Sequence, residues 1–284
     1  MLVHLAVIQE LITRLIPDRE AIIWREGVLS YAAFLRRCRQ VGHALRTLGL
    51  GCHTERGRVD PWESGQDHVA VCMYNCPEWL EVMYGSYHAR AVMVNVNYRY
   101  KADELSYVLA NSGARALVYH AAFAPLVAEV RAALPTLRHL IQMRDDSDTP
   151  LLPGALDYEE LRARQPTDPL DLPYSPDDLY ILYTGGTTGI PKGVLWRQED
   201  VFFNGLGATS PASSGSTARR SSGATSPSAS ADAPSCCCRS CTAPGSGSPS
   251  TASTAAERSS SPTRAAVSTR RARGTPSSGT RSIR

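Results

Sequence analysis

The chain has 284 residues and a formal net charge of +3, but its charges are unevenly distributed. Residues 205–284 contain ten Arg against only Asp232 and Glu257, so residues 1–204 carry a net negative charge. The overall positive charge therefore gives no support for nucleic-acid binding by the body of the chain. No apolar segment reaches the length of a membrane-spanning helix, so the sequence predicts no transmembrane segment.

The first predicted element is a helix over residues 1–16. Gln9, Glu10 and Arg14 interrupt its apolar face, which predicts an amphipathic helix packed on the body. A helix lying on a membrane surface is the less favoured alternative. The predicted apolar face consists of Leu2, Leu5, Ile8, Ile12 and Leu15.

Apolar runs and helical patterns then alternate along the chain. Short apolar runs predict buried strands at 21–24, 69–74, 92–96, 116–119, 140–143 and 179–183. Helical spacing occurs over 31–48, 77–89, 102–110 and 123–134. Strands that alternate with helices form βαβ units, so the sequence predicts an α/β fold with a largely parallel sheet. The polar stretch 51–66 reads as a solvated surface loop.

The cysteines and histidines suggest no metal or catalytic centre. The cysteines of the body are scattered, as in a reducing cytoplasm, and Cys236 to Cys241 offer one Cys-x-x-Cys pair without a second pair or a nearby His. His88 and His120 stand near predicted element ends, where a single His is usually structural. The sequence therefore predicts no metal site and no catalytic histidine.

A Gly/Thr-rich run follows the last predicted strand and has the composition of a phosphate-binding loop. Its glycines let backbone N–H groups turn toward an anion, its threonines add hydroxyl donors, and its lysine adds a mobile positive charge. It is not a Walker A loop, because Pro191 precedes Lys192 and Gly193 follows it. It also lacks the glycine spacing of a dinucleotide-binding fingerprint. The predicted phosphate ligands are Thr184, Gly185, Gly186, Thr187, Thr188, Gly189 and Lys192.

This run resembles the signature loop of the adenylate-forming (AMP-binding) superfamily, which includes acyl-CoA synthetases, peptide-synthetase adenylation domains and luciferases. Residues 193–200 resemble the actinobacterial-type fatty-acid and steroid-side-chain CoA ligases. Four upstream segments resemble blocks of the superfamily in the same order. They are 17–22 with 29–34, then 74–79, then 95–99 with 104–107, and last 111–118.

The resemblance implies a two-step reaction. A carboxylate, such as a fatty or steroid-derived acid, attacks the α-phosphate of ATP to give an acyl-adenylate and pyrophosphate, and CoA then displaces AMP to give the thioester. In such enzymes the loop stabilises the β- and γ-phosphates, Mg²⁺ shares that charge, and the reaction is cytoplasmic.

The resemblance also identifies segments without a counterpart after Asn204. These are the Thr-Glu segment of the adenine pocket, the ribose-binding Asp, and the C-terminal domain with its adenylation Lys. We therefore expect residues 1–204 to be a partial N-terminal AMP-binding domain of an inactive ligase. A non-enzymatic remnant or phosphate-binding module is the alternative.

Composition changes sharply after Asn204. Residues 205–284 contain no aromatic residue and no Lys, and their larger aliphatics are Leu206, Val267 and Ile283. Such a segment cannot bury enough apolar surface to offset its ordering entropy, so it is predicted to be a disordered tail. A basic arm for nucleic acid is disfavoured, because no aromatics are interleaved with its Arg residues. The bias toward Ser, Ala, Arg, Gly and Pro is instead typical of GC-rich sequence read out of frame.

We hypothesise that the reading frame changes after about Asn204 and that residues 205–284 are translated out of frame. This hypothesis makes a prediction about the gene. When the nucleotide sequence after the Asn204 codon is read in the other two forward frames, one frame should restore aromatic residues and strand and helix periodicity. A Thr-Glu segment should appear in that frame. If neither frame restores a globular composition, residues 205–284 are an evolved extension.

Overall fold

In the computed structural model, residues 3–185 and 191–207 are described, and most of them are arranged around one seven-stranded sheet. Residues 208–284, which make up nearly all of the predicted disordered tail, lie outside the described residues, as do residues 186–190 of the predicted phosphate loop. The strands are Glu20–Trp24 (β1), Gly27–Ser30 (β2), His68–Cys72 (β3), Val92–Asn95 (β4), Ala116–His120 (β5), His139–Met143 (β6), Leu156–Asp157 (β7), Leu179–Gly185 (β8) and Pro191–Arg197 (β9).

Helices connect most of these strands. They are Leu5–Leu15 (α1), Tyr31–Thr47 (α2), Pro77–His88 (α3), Ala102–Asn111 (α4), Ala124–Arg131 (α5), Tyr158–Ala163 (α6) and Gln198–Asp200 (α7), with a π-helical turn over Val201–Gly205. The strand order in the sheet is β7-β6-β5-β3-β4-β8-β9. Every neighbouring pair is parallel except β8 and β9, which form an antiparallel hairpin. The predicted α/β class with a largely parallel sheet is confirmed.

The central strands are buried on both faces, because helices cover the sheet from both sides. Alternate residues of β3 point to opposite layers: Ala70 joins one hydrophobic cluster and Val71 the other. The first cluster includes Leu105 of α4, and the second includes Leu45 of α2. The continuous apolar runs of the sequence are therefore those of a sheet between two helical layers.

For one predicted strand, the extended structure is correct but the expected burial is wrong. Residues 21–24 were expected to form a buried strand, but β1 pairs only with β2 in a separate two-stranded hairpin. Its side chains are largely exposed, and Ile23 is 67% exposed. A short apolar run predicts strand structure, but it does not say whether other elements will cover both faces of the strand.

The N-terminal helix packs on the body, but only the first part of its predicted apolar face makes the contact, through Leu5 and Ile8. Leu5, Gln9 and Thr13 are buried, whereas Leu15 is 81% exposed. Gln9 is buried because its amide is satisfied: Nε2 donates to Cys38 Sγ, and Oε1 accepts from His88 Nε2 at 2.9 Å. Specific hydrogen bonds thus oppose the orientation that apolar periodicity favours. No helix in the described part of the chain is both long and apolar enough to cross a bilayer.

Burial of His88 predicts a loss of stability in acid. Burial lowers the pKa of His88 to about 3, against about 6.5 in an unfolded chain. Between these two pH values only the unfolded state binds the proton, so the free energy of unfolding is highest above pH ~6.5 and falls as the pH drops. One such group contributes a slope of at most about 1.4 kcal/mol per pH unit.

The expected result is a shallower pH dependence for His88→Gln than for the wild type, measured by urea unfolding between neutral and acidic pH. Equal slopes for His88→Gln and wild type would contradict this assignment. A residual slope is expected, because burial also lowers the pKa of His4, His68, His120 and His139.

Candidate functional site

Strand β8 brings the Gly/Thr-rich run to the carboxyl edge of the sheet. It lies parallel to β4, with Ile181 opposite Val94, so Thr184 and Gly185 lie at the edge where the other parallel strands also end. Ligands of open α/β sheets bind beyond this edge. The sequence-based placement of the run after a buried strand agrees with this position.

Two of the predicted phosphate ligands face each other across the hairpin. Thr184 of β8 pairs with Lys192 of β9, and Gly185 pairs with Pro191. Residues directly opposite in an antiparallel ladder project to the same face, so the hydroxyl and the ammonium are neighbours there. Both side chains are exposed. The other predicted ligands, Gly186, Thr187, Thr188 and Gly189, lie outside the described residues.

Lys192 forms no ion pair with any residue in the described ranges. Its ammonium is a compact point charge on a flexible stem, suited to follow an anion that moves. The hairpin end therefore offers one hydroxyl donor and one uncompensated positive charge to a negatively charged ligand.

Packing around Tyr183 fixes the β8–β9 hairpin near its loop end. A Cβ on Gly193 would lie 2.9 Å from Tyr183 Cε2, so only glycine lets the ring cross this position. The Tyr183 hydroxyl donates to Asn111 Oδ1 at 2.8 Å. Burial raises the pKa of Tyr183 to about 12, which keeps the donor protonated. Sequence reasoning missed this contact, although a glycine placed opposite a tyrosine was the available signal.

A buried ion pair fixes the other end of β8. Arg90 donates from Nε and Nη2 to the two Asp178 oxygens at 2.8 and 2.7 Å. Both side chains are only 4% exposed. Burial opposes ionisation of Asp178, but hydrogen bonds from Arg90 and His4 outweigh it and lower the pKa of Asp178. Arg90 also binds both Glu55 oxygens at 2.9 Å.

Amide side chains extend this network to the backbone of β8. Gln66 Oε1 accepts from the Leu179 N–H at 2.8 Å, while Gln66 Nε2 donates to the Arg90 carbonyl. The backbone N–H of Gln198 donates to the Asp178 carbonyl at 2.8 Å. The stretch 51–66, which was expected to be only a solvated surface, therefore contributes Glu55 and Gln66 to the support of β8.

The described residues include one group with metal-ligand chemistry, formed by Cys52, Glu55 and Asp178, whose ligand atoms all lie within 4.8 Å of one another. Arg90 already binds both carboxylates, so its guanidinium occupies the place of a cation. Burial raises the pKa of Cys52, which opposes the thiolate that a metal requires. Seven residues of β8 also separate this group from the loop by roughly 20 Å. This group is a structural ion cluster.

A cavity of about 610 Å³ opens near the same carboxyl edge, beyond β3, β5 and β6. Its wall includes His120, Cys76 and Glu78. His120 Nδ1 accepts from the Tyr74 N–H at 3.0 Å, and burial lowers the pKa of His120. Burial raises the pKa of Cys76 to about 12. The Nδ1 atom of His120 is thus engaged with the backbone, and burial favours the protonated thiol of Cys76.

Comparison with known proteins identifies the family. The model of the AMP-binding enzyme family matches residues 13–221. The chain belongs to this family. One curated relative is the medium-chain acyl-CoA ligase Mig of Mycobacterium avium, to which the chain is 50% identical over 192 residues. The alignment covers 68% of this chain and 35% of Mig. The chain is 34% identical over 203 residues to the 3-oxocholest-4-en-26-oate–CoA ligase of Rhodococcus rhodochrous, covering 71% of the chain and 34% of that ligase.

Solved structures show the same fold. The N-terminal domain of FACL13 from Mycobacterium tuberculosis aligns with a TM-score of 0.59 and 25% identity, over 71% of this chain and 46% of that one. The anthranilate CoA ligase AuaEII aligns with a TM-score of 0.61 and 24% identity, over 70% of this chain and 35% of that one. The chain spans about a third of the length of the curated relatives that it matches.

The buried ion pair predicts a large difference between two adjacent aspartates. Among the described residues, Asp178→Asn leaves the buried Arg90 with Glu55 as its remaining carboxylate partner, so the free energy of unfolding should fall by about 3 kcal/mol. Asp177 forms a half-exposed pair with Arg197. Asp177→Asn should therefore cost less than about 1 kcal/mol. Urea unfolding at neutral pH measures both, and equal costs would show that the network does not anchor β8.

Proposed function

We propose that this chain carries the polyphosphate-binding part of an AMP-forming acyl-CoA ligase. The observation that carries the proposal is the pairing of Thr184 with Lys192 at the carboxyl edge, on a hairpin held at both ends of β8. Family membership supports the same assignment. The ligand is the phosphate chain of ATP, and the acid-activating chemistry is supplied by its phosphoanhydride bonds.

The described residues fit a polyphosphate. Lys192 would offer charge and Thr184 a hydroxyl donor to the β- and γ-phosphates, and the backbone N–H of Gly185 would add a further donor. We extend the assignment to Gly186, Thr187, Thr188 and Gly189 on their sequence alone. These groups bind and orient the phosphates, and they hold negative charge as it develops on the leaving pyrophosphate.

The described residues do not identify a protein ligand for Mg²⁺. The cluster of Cys52, Glu55 and Asp178 does not fit this ion, because Arg90 neutralises the carboxylates and the cluster lies at the far end of β8. Hard divalent cations also prefer oxygen ligands over a thiol. We therefore assign no step to a metal held by the described residues.

The names of two relatives support a proposal for the acid substrate. One is named for medium-chain acyl groups and another for a steroid-derived acid, 3-oxocholest-4-en-26-oate. We propose a fatty or steroid-derived carboxylic acid, with CoA as the acyl acceptor and a cytoplasmic location. The four cysteines in the described residues are free, as expected in a reducing compartment.

A second candidate function is phosphate binding without ligation. The observation that favours it is the donor pair of Thr184 and Lys192, which can hold phosphate whether or not an acid is activated. The two candidates share the site at Lys192 and differ in whether an acyl-adenylate forms. Carboxylate-dependent exchange of labelled pyrophosphate into ATP separates them, and we expect no exchange above background.

Binding of pyrophosphate tests the site itself. Lys192→Met keeps the aliphatic stem and removes the charge, so the Kd measured by calorimetry should rise at least about tenfold, as expected for loss of a charge-assisted contact. Arg138→Ala removes one charge at the amino end of β6, on the opposite edge, and should bind like the wild type. Equal affinity of Lys192→Met and wild type would contradict the site.

The exchange and binding experiments together have three distinguishable outcomes. Exchange that disappears in Lys192→Met identifies an active ligase. Pyrophosphate binding without exchange identifies the binding module. Absence of both in a folded wild-type protein, verified by circular dichroism, overturns the proposed function.

A further inference from the structure

Strand β9 is a free edge of the main sheet in the described part of the chain. It is the last strand in the sheet order and runs for seven residues, Pro191–Arg197. On the side away from β8, its backbone groups have no hydrogen-bond partner within the described residues. An unpaired edge of this length is a template for another strand.

The outward face of the β8–β9 hairpin is apolar. Val194 and Trp196 are 40% and 44% exposed, and Leu182, directly opposite Val194, is 41% exposed. Natural edge strands are usually protected by central charges, prolines or bulges. Here Pro191 and Lys192 stand at the start of the strand, and its centre carries no charge.

The chain after β9 does not cover this edge in the described residues. Gln198 donates to the Asp178 carbonyl and accepts from the Leu5 N–H, which directs α7 to the amino end of β8. Residues 208–284 have Val267 and Ile283 as their only larger aliphatics and contain no aromatic residue. Their composition is unsuited to supply an apolar partner strand.

We propose that β9 pairs antiparallel with β9 of a second copy of this chain, about a twofold axis at Val194. Self-pairing of one surface about a twofold axis is isologous, so Val194 meets Val194. This register places Lys192 opposite Trp196 of the other copy, where an ammonium can lie over an indole face. The two seven-stranded sheets then continue through the contact.

Charge complementarity favours a second copy over an unrelated strand. The start of β9 carries the positive charge of Lys192. At its end, the positive charge of Arg197 is outnumbered by the negative charges of three carboxylates that contact it, Asp177, Glu199 and Asp200. Antiparallel pairing brings the positive start of each strand toward the negative end of the other. The backbone ladder and the Val194 contact do not require the Lys192 ammonium, so pairing is compatible with an anion at the loop.

Sedimentation velocity of the full chain over a range of concentrations tests the pairing. The wild type should form a dimer. Val194→Lys puts two ammonium groups opposite each other at the axis and should raise the dimer Kd at least about tenfold. Val194→Thr keeps a β-branched side chain of similar size without charge, so it should remain dimeric.

Leu15→Lys provides a second control, because Leu15 is a highly exposed apolar residue on α1, outside the hairpin. It should not affect the dimer. Thermal melts followed by circular dichroism establish that the variants are folded. A monomeric wild type at all concentrations, open-ended assembly, or dissociation by Leu15→Lys instead of Val194→Lys would each overturn the proposal.

Discussion

The buried ion pair between Arg90 and Asp178 is the interaction on which the position of β8, and so of the proposed phosphate site, depends. Strand β8 pairs with its parallel neighbour β4 at one register position, Val94 with Ile181. The ladder alone therefore holds β8 weakly, and the polar network at its start supplies the missing constraint. Arg90 adopts a left-handed backbone with φ of 56°. Such a conformation costs on the order of 1 kcal/mol and persists where the surrounding structure determines it.

A second constraint acts at the opposite end of β8. The ring of Tyr183 crosses Gly193, and its hydroxyl reaches Asn111 on α4. Thus an ion pair fixes the start of β8, and close packing of Tyr183 against Gly193 fixes its end. A strand held at both ends is the arrangement that the proposed polyphosphate site needs, because the donors must stay in one orientation.

The sheet is not equally covered along its width. Strands β3 and β5 are buried by helices on both faces, whereas the β8–β9 hairpin has one packed and one exposed face. The proposed phosphate site and the proposed pairing surface both use this uncovered part. Their chemistry differs, because the first relies on donors at the strand ends and the second on the apolar centre and free backbone of β9.

Several features of the protein were determined by the sequence alone. Apolar runs bounded by turn residues predicted the parallel strands, since a strand buried on both faces needs continuous apolar residues. The chemistry of the loop is equally local: Thr184 and Lys192 are donors wherever the hairpin lies. The tertiary structure decided which distant groups meet. Asp178 and Arg90 are separated by 88 residues, and no periodicity encodes their pairing, because it arises only when two buried charges must neutralise each other.

The same reason explains two of the corrected expectations. The burial of Gln9 in place of Leu15 and the exposure of Ile23 depend on which neighbours are available in space. Local pattern predicts that a segment is helical or extended and which residues are apolar. Only the packed structure supplies the partner that makes a polar side chain favourable inside, or leaves an apolar one without cover.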